Sequence, residues 1–135
     1  MEITGSDNVL VDSSIWIEFF IGNEPVRSTV NELIDKRLIC CTGLIVGELI
    51  QGAKSKKEID ILNDFVHVFE FLPENSKYWI QAGYLSFELR RKGKTIGLAD
   101  CFLAVLASKY HVSIYTNDDN FLLMENEANI RLFKL

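Results

Sequence analysis

Asn8-Val9-Leu10-Val11-Asp12-Ser13-Ser14-Ile15-Trp16 is the stretch whose reading decides the fold. Residues 8–11 read as a short apolar strand, and an unbroken apolar run of that length suits a strand covered on both faces. It ends at Asp12-Ser13-Ser14, a natural helix start, because such side chains accept hydrogen bonds from the first free N–H groups of a helix. An apolar helix over 15–21 follows. A strand passing directly into a helix is the opening unit of a parallel α/β sheet.

The same alternation continues to the C-terminus. A helix is expected over 25–36, opened by Pro25, with Val30, Leu33 and Ile34 on its inner face. Residues 38–41 form a second apolar strand, and Thr42 caps a helix running to 53. Ser55 opens another helix, on which Ile59, Leu62, Phe65 and Val66 recur at helical spacing. A strand at 69–72 precedes Pro73, and Asn75 or Ser76 caps a long helix that stops at Gly93. A helix over 98–110, a strand at 112–115, a short helix over 120–125 and a last strand at 130–133 complete the chain. This pattern predicts an αβα sandwich of the α/β class, with a short central parallel sheet and helices on both faces. The chain reads as a single domain over 1–135, with 1–7 a loose polar lead-in. Ligands of such sheets sit outside the carboxyl ends of the strands, which puts Asp12 and Thr116-Asn117-Asp118-Asp119 on one edge.

Composition narrows the class further. With 135 residues, 48% of them hydrophobic and 24% charged, the chain can bury a core without staples and is neither disordered nor fibrous. Charged residues interrupt every apolar run before it reaches membrane-span length, and the N-terminus lacks the marks of a secretory signal. A cytoplasmic location with no membrane contact is expected. Cys40 and Cys41 are adjacent in one apolar run and Cys101 lies in another; without a paired spacing they read as buried thiols. The net charge of −5 argues against a nucleic-acid partner, unless several acids are gathered in one place to hold cations.

The acids therefore need individual reading. Asp12 either caps the helix after it or serves a site, and Asp118 and Asp119 present the same alternatives before Phe121. Asp100 falls in a first helical turn, where the helix dipole favours a negative charge. Glu48 has no such explanation. It lies in mid-helix, is the only charge between Thr42 and Ala53, and has no Lys or Arg three or four positions away. A carboxylate in an apolar stripe must reach solvent, change its pKa or find a cation. Asp100 is likewise the only charge from Gly97 to Ser108. Crowded carboxylates repel one another unless something positive sits among them, and oxygen-only ligation suits Mg²⁺ or Mn²⁺. His67 and His111 read as structural, and Ser13 and Ser14 lack the glycines of a nucleophile elbow. Thr116 either orients an acid or a water, or closes a turn.

Taken in order, four segments resemble a PIN domain of the VapC toxin type. They are Val9-Leu10-Val11-Asp12-Ser13-Ser14, Val46-Gly47-Glu48-Leu49-Ile50-Gln51-Gly52-Ala53, Gly97-Leu98-Ala99-Asp100-Cys101-Phe102-Leu103-Ala104 and Thr116-Asn117-Asp118-Asp119-Asn120-Phe121. The resemblance covers nearly the whole chain. It implies a metal-dependent endoribonuclease, a small antitoxin protein that silences it, and a homodimer. By position it carries over Asp12, Glu48, Asp100 and Asp118 as the acidic quartet. Of these, Asp12 and Asp100 are expected as direct metal ligands and Asp118 as a third, with Glu48 or Asp119 as further candidates and Ser13, Thr116 and Asn120 in support. Family members often carry an aspartate where Asn120 stands; here either a second metal binds weakly or Asp119 substitutes.

The implied reaction is attack of a metal-activated water on an RNA phosphodiester. Arg90, Arg91, Lys92 and Lys94 are candidates to track the RNA backbone, although favourable charge at a helix C-terminus explains this group slightly better. Lys54, Lys56 and Lys57 read as a solvated helix start. Trp16, Phe19, Phe20, Trp79, Tyr84 and Phe87 are read by default as core, with dimer or antitoxin anchoring as the alternative. Two rival readings remain: a catalytically silent PIN-like domain, and a phosphoacceptor receiver domain with acids and Mg²⁺ at its strand ends.

Overall fold

The computed structural model describes residues 7–134; all of the expected lead-in except Asp7 lies outside the described residues. Five short strands, β1 (Val9–Val11), β2 (Ile39–Cys41), β3 (Glu70–Phe71), β4 (Ser113–Tyr115) and β5 (Arg131–Leu132), form one parallel sheet in the order β3-β2-β1-β4-β5. β1 is central. Leu10 pairs with Cys40 on one side and Ile114 on the other, and Val11 pairs with Tyr115. β1, β2 and β4 are buried along their whole length, as strands covered on both faces must be.

The helices follow the expected order: α1 (Ser13–Ile21), α2 (Val26–Asp35), α3 (Gly43–Gln51), α4 (Lys56–Asn63), α5 (Phe65–Val68), α6 (Ser76–Arg91), α7 (Leu98–Tyr110), α8 (Asp119–Leu123) and α9 (Glu125–Ala128). Two of them depart from expectation. The helix opened by Ser55 breaks at Asp64, whose N–H still closes α4 on Ile61 and Leu62 while its carbonyl accepts from His67 to start α5. The break lays Phe65 against Trp16, with ring centroids 4.8 Å apart. The helix expected over 120–125 divides at Met124, which is fully buried between α8 and α9.

Not all the aromatic residues belong to the core. Trp16 is buried at the centre of a cluster with Phe19, Phe65 and Phe69, and Trp79 stacks on Phe102 at 3.6 Å. Phe20, Tyr84 and Phe87 are exposed instead, Tyr84 by 70%. All three cysteines are free and buried, and burial pushes the thiols of Cys40 and Cys41 up to about 12. No helix among the described residues is long and apolar enough to cross a membrane.

Thr42 links this core to the acid-bearing helix. It is fully buried, and its hydroxyl accepts from the Ile45 N–H at 3.2 Å, capping α3 on the N-terminal side of Glu48. Loss of such a cap costs about 1 kcal/mol. Thr42→Ala is therefore expected to lower the urea unfolding midpoint by that equivalent, while Thr42→Ser retains most of the stability; equal losses in both variants would show that the methyl group matters and the cap does not.

Candidate active site

Asp12 leaves the carboxyl end of β1, and its N–H continues the sheet ladder by donating to the Tyr115 carbonyl at 2.9 Å. It stands at the N-cap position of α1, yet its side chain makes no capping bond. Oδ2 accepts instead from two hydroxyls, Ser14 Oγ at 2.9 Å and Thr116 Oγ1 at 2.9 Å. Asp12 is only 6% exposed, so these bonds hold a buried carboxylate in a single orientation. Thr116 also accepts from the Asp118 N–H at 2.9 Å, and Ser14 Oγ accepts from the Asn117 N–H at 3.0 Å. The hydroxyl that touches Asp12 belongs to Ser14, not to Ser13. The two serines are alike in sequence, and the start of α1 at Ser13 is what places Ser14 Oγ against Asp12.

Asp118 does cap. Its Oδ1 accepts from the Asn120 N–H at 2.9 Å at the start of α8. Asp119 next to it is exposed. Asn120 then reaches α7, its Nδ2 donating to Asp100 Oδ2 at 3.1 Å. Asp12, Thr116, Asp118, Asn120 and Asp100 are thus joined by one run of hydrogen bonds.

Glu48 comes to the same edge from α3. Its pKa is raised by burial first, and then by the negative charges of Asp12 and Asp100. Asp100 is raised by burial, with further upward pressure from Asp118 and Asp12, against which the Asn120 amide acts. Three helical or strand-end acids therefore feel one another's charge. Glu48 Oε1 is buried with no hydrogen-bond partner. A buried, unpartnered carboxylate oxygen that feels two other acids favours either a proton or a cation.

The donor chemistry fits a hard divalent ion, since every candidate ligand is an oxygen. Among the described residues, no three His, Cys, Asp or Glu side chains already converge closely enough to hold a metal. Mg²⁺ is commonly held by one or two carboxylates with water completing its shell, so a closed set of three side chains is not required of it.

The basic residues divide. Lys94 Nζ is committed to Glu127 at 2.8 Å and to the Leu123 carbonyl at 3.0 Å, so it braces α6 and α7 against α8 and α9 and does not track a ligand. Arg90 and Arg91 are exposed at the C-terminal end of α6, both guanidinium groups lying within 6 Å of the Phe87 ring centroid. Lys92 is exposed after them. The receiver-domain reading required adjacent acids after β1 and an aspartate after a middle strand; β1 is followed by Asp12-Ser13-Ser14 and β2 by Thr42, while Glu48 and Asp100 lie within helices.

Comparison with known proteins agrees with this fold. Among solved structures, the chain is similar to a chain of DNA-bound VapBC from Salmonella typhimurium, with 25% identity, a TM-score of 0.74, and coverage of 93% of this chain and 96% of that one. VapBC2 from Rickettsia felis, bound to a DNA fragment from its promoter, has 20% identity, a TM-score of 0.73, and coverage of 94% and 98%. VapBC-1 from nontypeable Haemophilus influenzae has 17% identity, a TM-score of 0.70, and coverage of 93% and 96%. No curated protein matches the chain. The family model of the PIN domain matches residues 9–126, a span that begins at the first residue of β1 and takes in every acid of the edge. The chain belongs to the PIN domain family.

Proposed function

We propose that this protein is a metal-dependent endoribonuclease and the toxin of a toxin–antitoxin pair. The observation that carries the reading is the orphaned Glu48 Oε1, buried at a sheet edge where Asp12 and Asp100 also gather. The likeness to chains of VapBC complexes supports the toxin assignment.

Asp12 and Asp100 would hold the ion, Mg²⁺ or Mn²⁺, each through the oxygen that its hydrogen bonds leave open. When bound, such an ion offsets the charge that builds on the phosphate and makes water more acidic. Glu48, brought to the same edge as Asp12 and Asp100, orients the attacking water and takes its proton. Asp118 holds the Asn120 N–H and orders the far side of the site. Arg90, Arg91 and Lys92 take phosphates of the RNA beyond the cleavage point.

Partners have surfaces of the right kind. An apolar groove of about 340 Å³ between α1, α3 and α4, lined by Ile17, Phe20, Ile21, Leu49, Ile61 and Leu62, suits an amphipathic antitoxin helix. The exposed stripe Ile80, Tyr84 and Phe87 on α6 suits the second copy of a homodimer.

On structured RNA, the wild type is expected to cleave with Mg²⁺ or Mn²⁺ and to stop with chelator. Asp12→Asn and Asp100→Asn should each lose activity by on the order of 10²-fold or more. Mutants as active as the wild type would dismiss this site, and no cleavage of any RNA would favour a silent binding domain.

The upward shifts also govern stability without metal. A carboxylate raised in the fold favours folding below its unfolded pKa, and that contribution is lost as pH rises through the raised value. In chelator, Glu48→Gln should therefore melt above the wild type at neutral pH, with the gap closing as pH falls toward about 4.3, the ordinary glutamate value. Added Mn²⁺ should stabilise the wild type more than the variant. A gap that ignores pH would contradict the shared-charge account of Glu48.

A further inference from the structure

Asn120 reaches 20 residues back along the chain to donate its Nδ2 to Asp100 Oδ2 at 3.1 Å. Its own backbone N–H is held by Asp118 Oδ1 at 2.9 Å. The residue is half-buried and its neighbour Phe121 is fully buried, so the packing of α8 decides where the amide lies. Asn120 is the neutral member that connects the Asp118 side of the edge to the Asp100 side.

The donors on each carboxylate determine what an ion can use. Asp12 accepts both hydroxyls on Oδ2, Asp100 accepts the amide on Oδ2, and Asp118 accepts the cap bond on Oδ1. Among the described residues, each aspartate is left with one oxygen that no donor touches. Two-ion phosphodiester sites hold their ions about 3.5–4 Å apart. A carboxylate that bridges such a pair must turn one oxygen to each ion. On Asp100, the amide already sets hydrogens with partial positive charge against one of the two oxygens. On Asp12, two hydroxyl donors occupy the corresponding oxygen.

We propose that Asn120 is a positioning residue: it clamps Asp100 with one oxygen toward the site and restricts the site to a single divalent cation. This rests on the acid edge being the metal site proposed above. An acid at position 120 would act in the opposite way. It would face Asp100 with a like charge, which a second cation relieves, whereas the amide relieves the crowding without an ion.

The test uses Mn²⁺ alone on the whole chain, freed of metal. Free Mn²⁺ is counted by its electron paramagnetic resonance signal, and affinity is measured by calorimetry. The wild type is expected to bind one Mn²⁺ per chain. Asn120→Ala should still bind one, about 10- to 100-fold more weakly, as when a group that orients a ligand is removed. Asn120→Asp should bind two. Both changes leave the backbone cap from Asp118 in place, and Asn120→Asp is close to isosteric, so melting in chelator serves as the folding control. Two ions on the wild type, one ion on Asn120→Asp, or unaltered affinity in Asn120→Ala would each overturn the clamp while leaving the metal site standing. No Mn²⁺ on the wild type would overturn both.

Discussion

Thr116 gives its hydroxyl to Asp12 across the junction of two strands that are far apart in sequence, and the bond is possible because β1 and β4 lie side by side in register. Val11 stands opposite Tyr115, so the next residue of each strand emerges at the same level. A slip of one residue would turn every β4 side chain to the other face and carry Thr116 away from Asp12. The rest of the acid edge is assembled around this point. β2 lies on the other side of β1 and passes straight into α3, which brings Glu48. The turn after β4 supplies Asp118 and Asn120, and α7 arrives from behind with Asp100 in its first turn. Hydrophobic burial of three short strands thus dictates where the charges meet.

What meets there is one sign of charge only. Hydroxyls, backbone N–H groups and one amide satisfy individual oxygens, but none carries a full positive charge. The nearest lysine in sequence to Asp100, Lys94, is tied to Glu127 and contributes nothing to the edge. Burial and mutual repulsion then act in the same direction on Glu48 and Asp100, raising both. On the proposed reading, this gathering of acids also answers the objection posed by a net charge of −5. Where acids are concentrated to attract a cation, the overall charge says little about whether a polyanion can approach.

Much of this was legible in the chain itself, because the decisive signals are local. Asn8 through Trp16 carries both the strand and its exit into a helix, and Glu48 is conspicuous in any helical reading for want of a cap or an i,i+4 partner. The parts that escaped depend on contacts distant in sequence or on backbone rotation. Ser13 and Ser14 are indistinguishable as a dipeptide, and only the phase of α1 picks Ser14. Asp12 suits a helix cap and a hydroxyl-bonded acceptor equally well; Thr116, far along the chain, decides for the second. Lys94 finds Glu127 only because α9 folds back over the end of α6. The break at Asp64 follows from Phe65 packing on Trp16, which no local spacing announces. Exposure of Tyr84 and Phe87 is equally hidden, since α6 shows helical periodicity on both its inner and its outer face.

On the proposed reading, the division between core and edge bears on what an ion would do for the protein. Small metal-dependent domains owe their fold to the metal, because without it they lack enough buried surface. Here Trp16, Phe102, Phe121 and the strands around Leu10 form a continuous core that owes nothing to the carboxylates. Neutral donors already hold Asp12, Asp118 and Asp100 in place, so their orientation does not wait for an ion. Glu48 is the exception, with a buried oxygen left unsatisfied. The strain of the site is therefore concentrated on one side chain while the others are preorganised. On the proposed metal-dependent reading, a cation arriving at this edge would meet carboxylates already oriented and relieve the one that is not, so its binding energy would go into the site and little of it into folding.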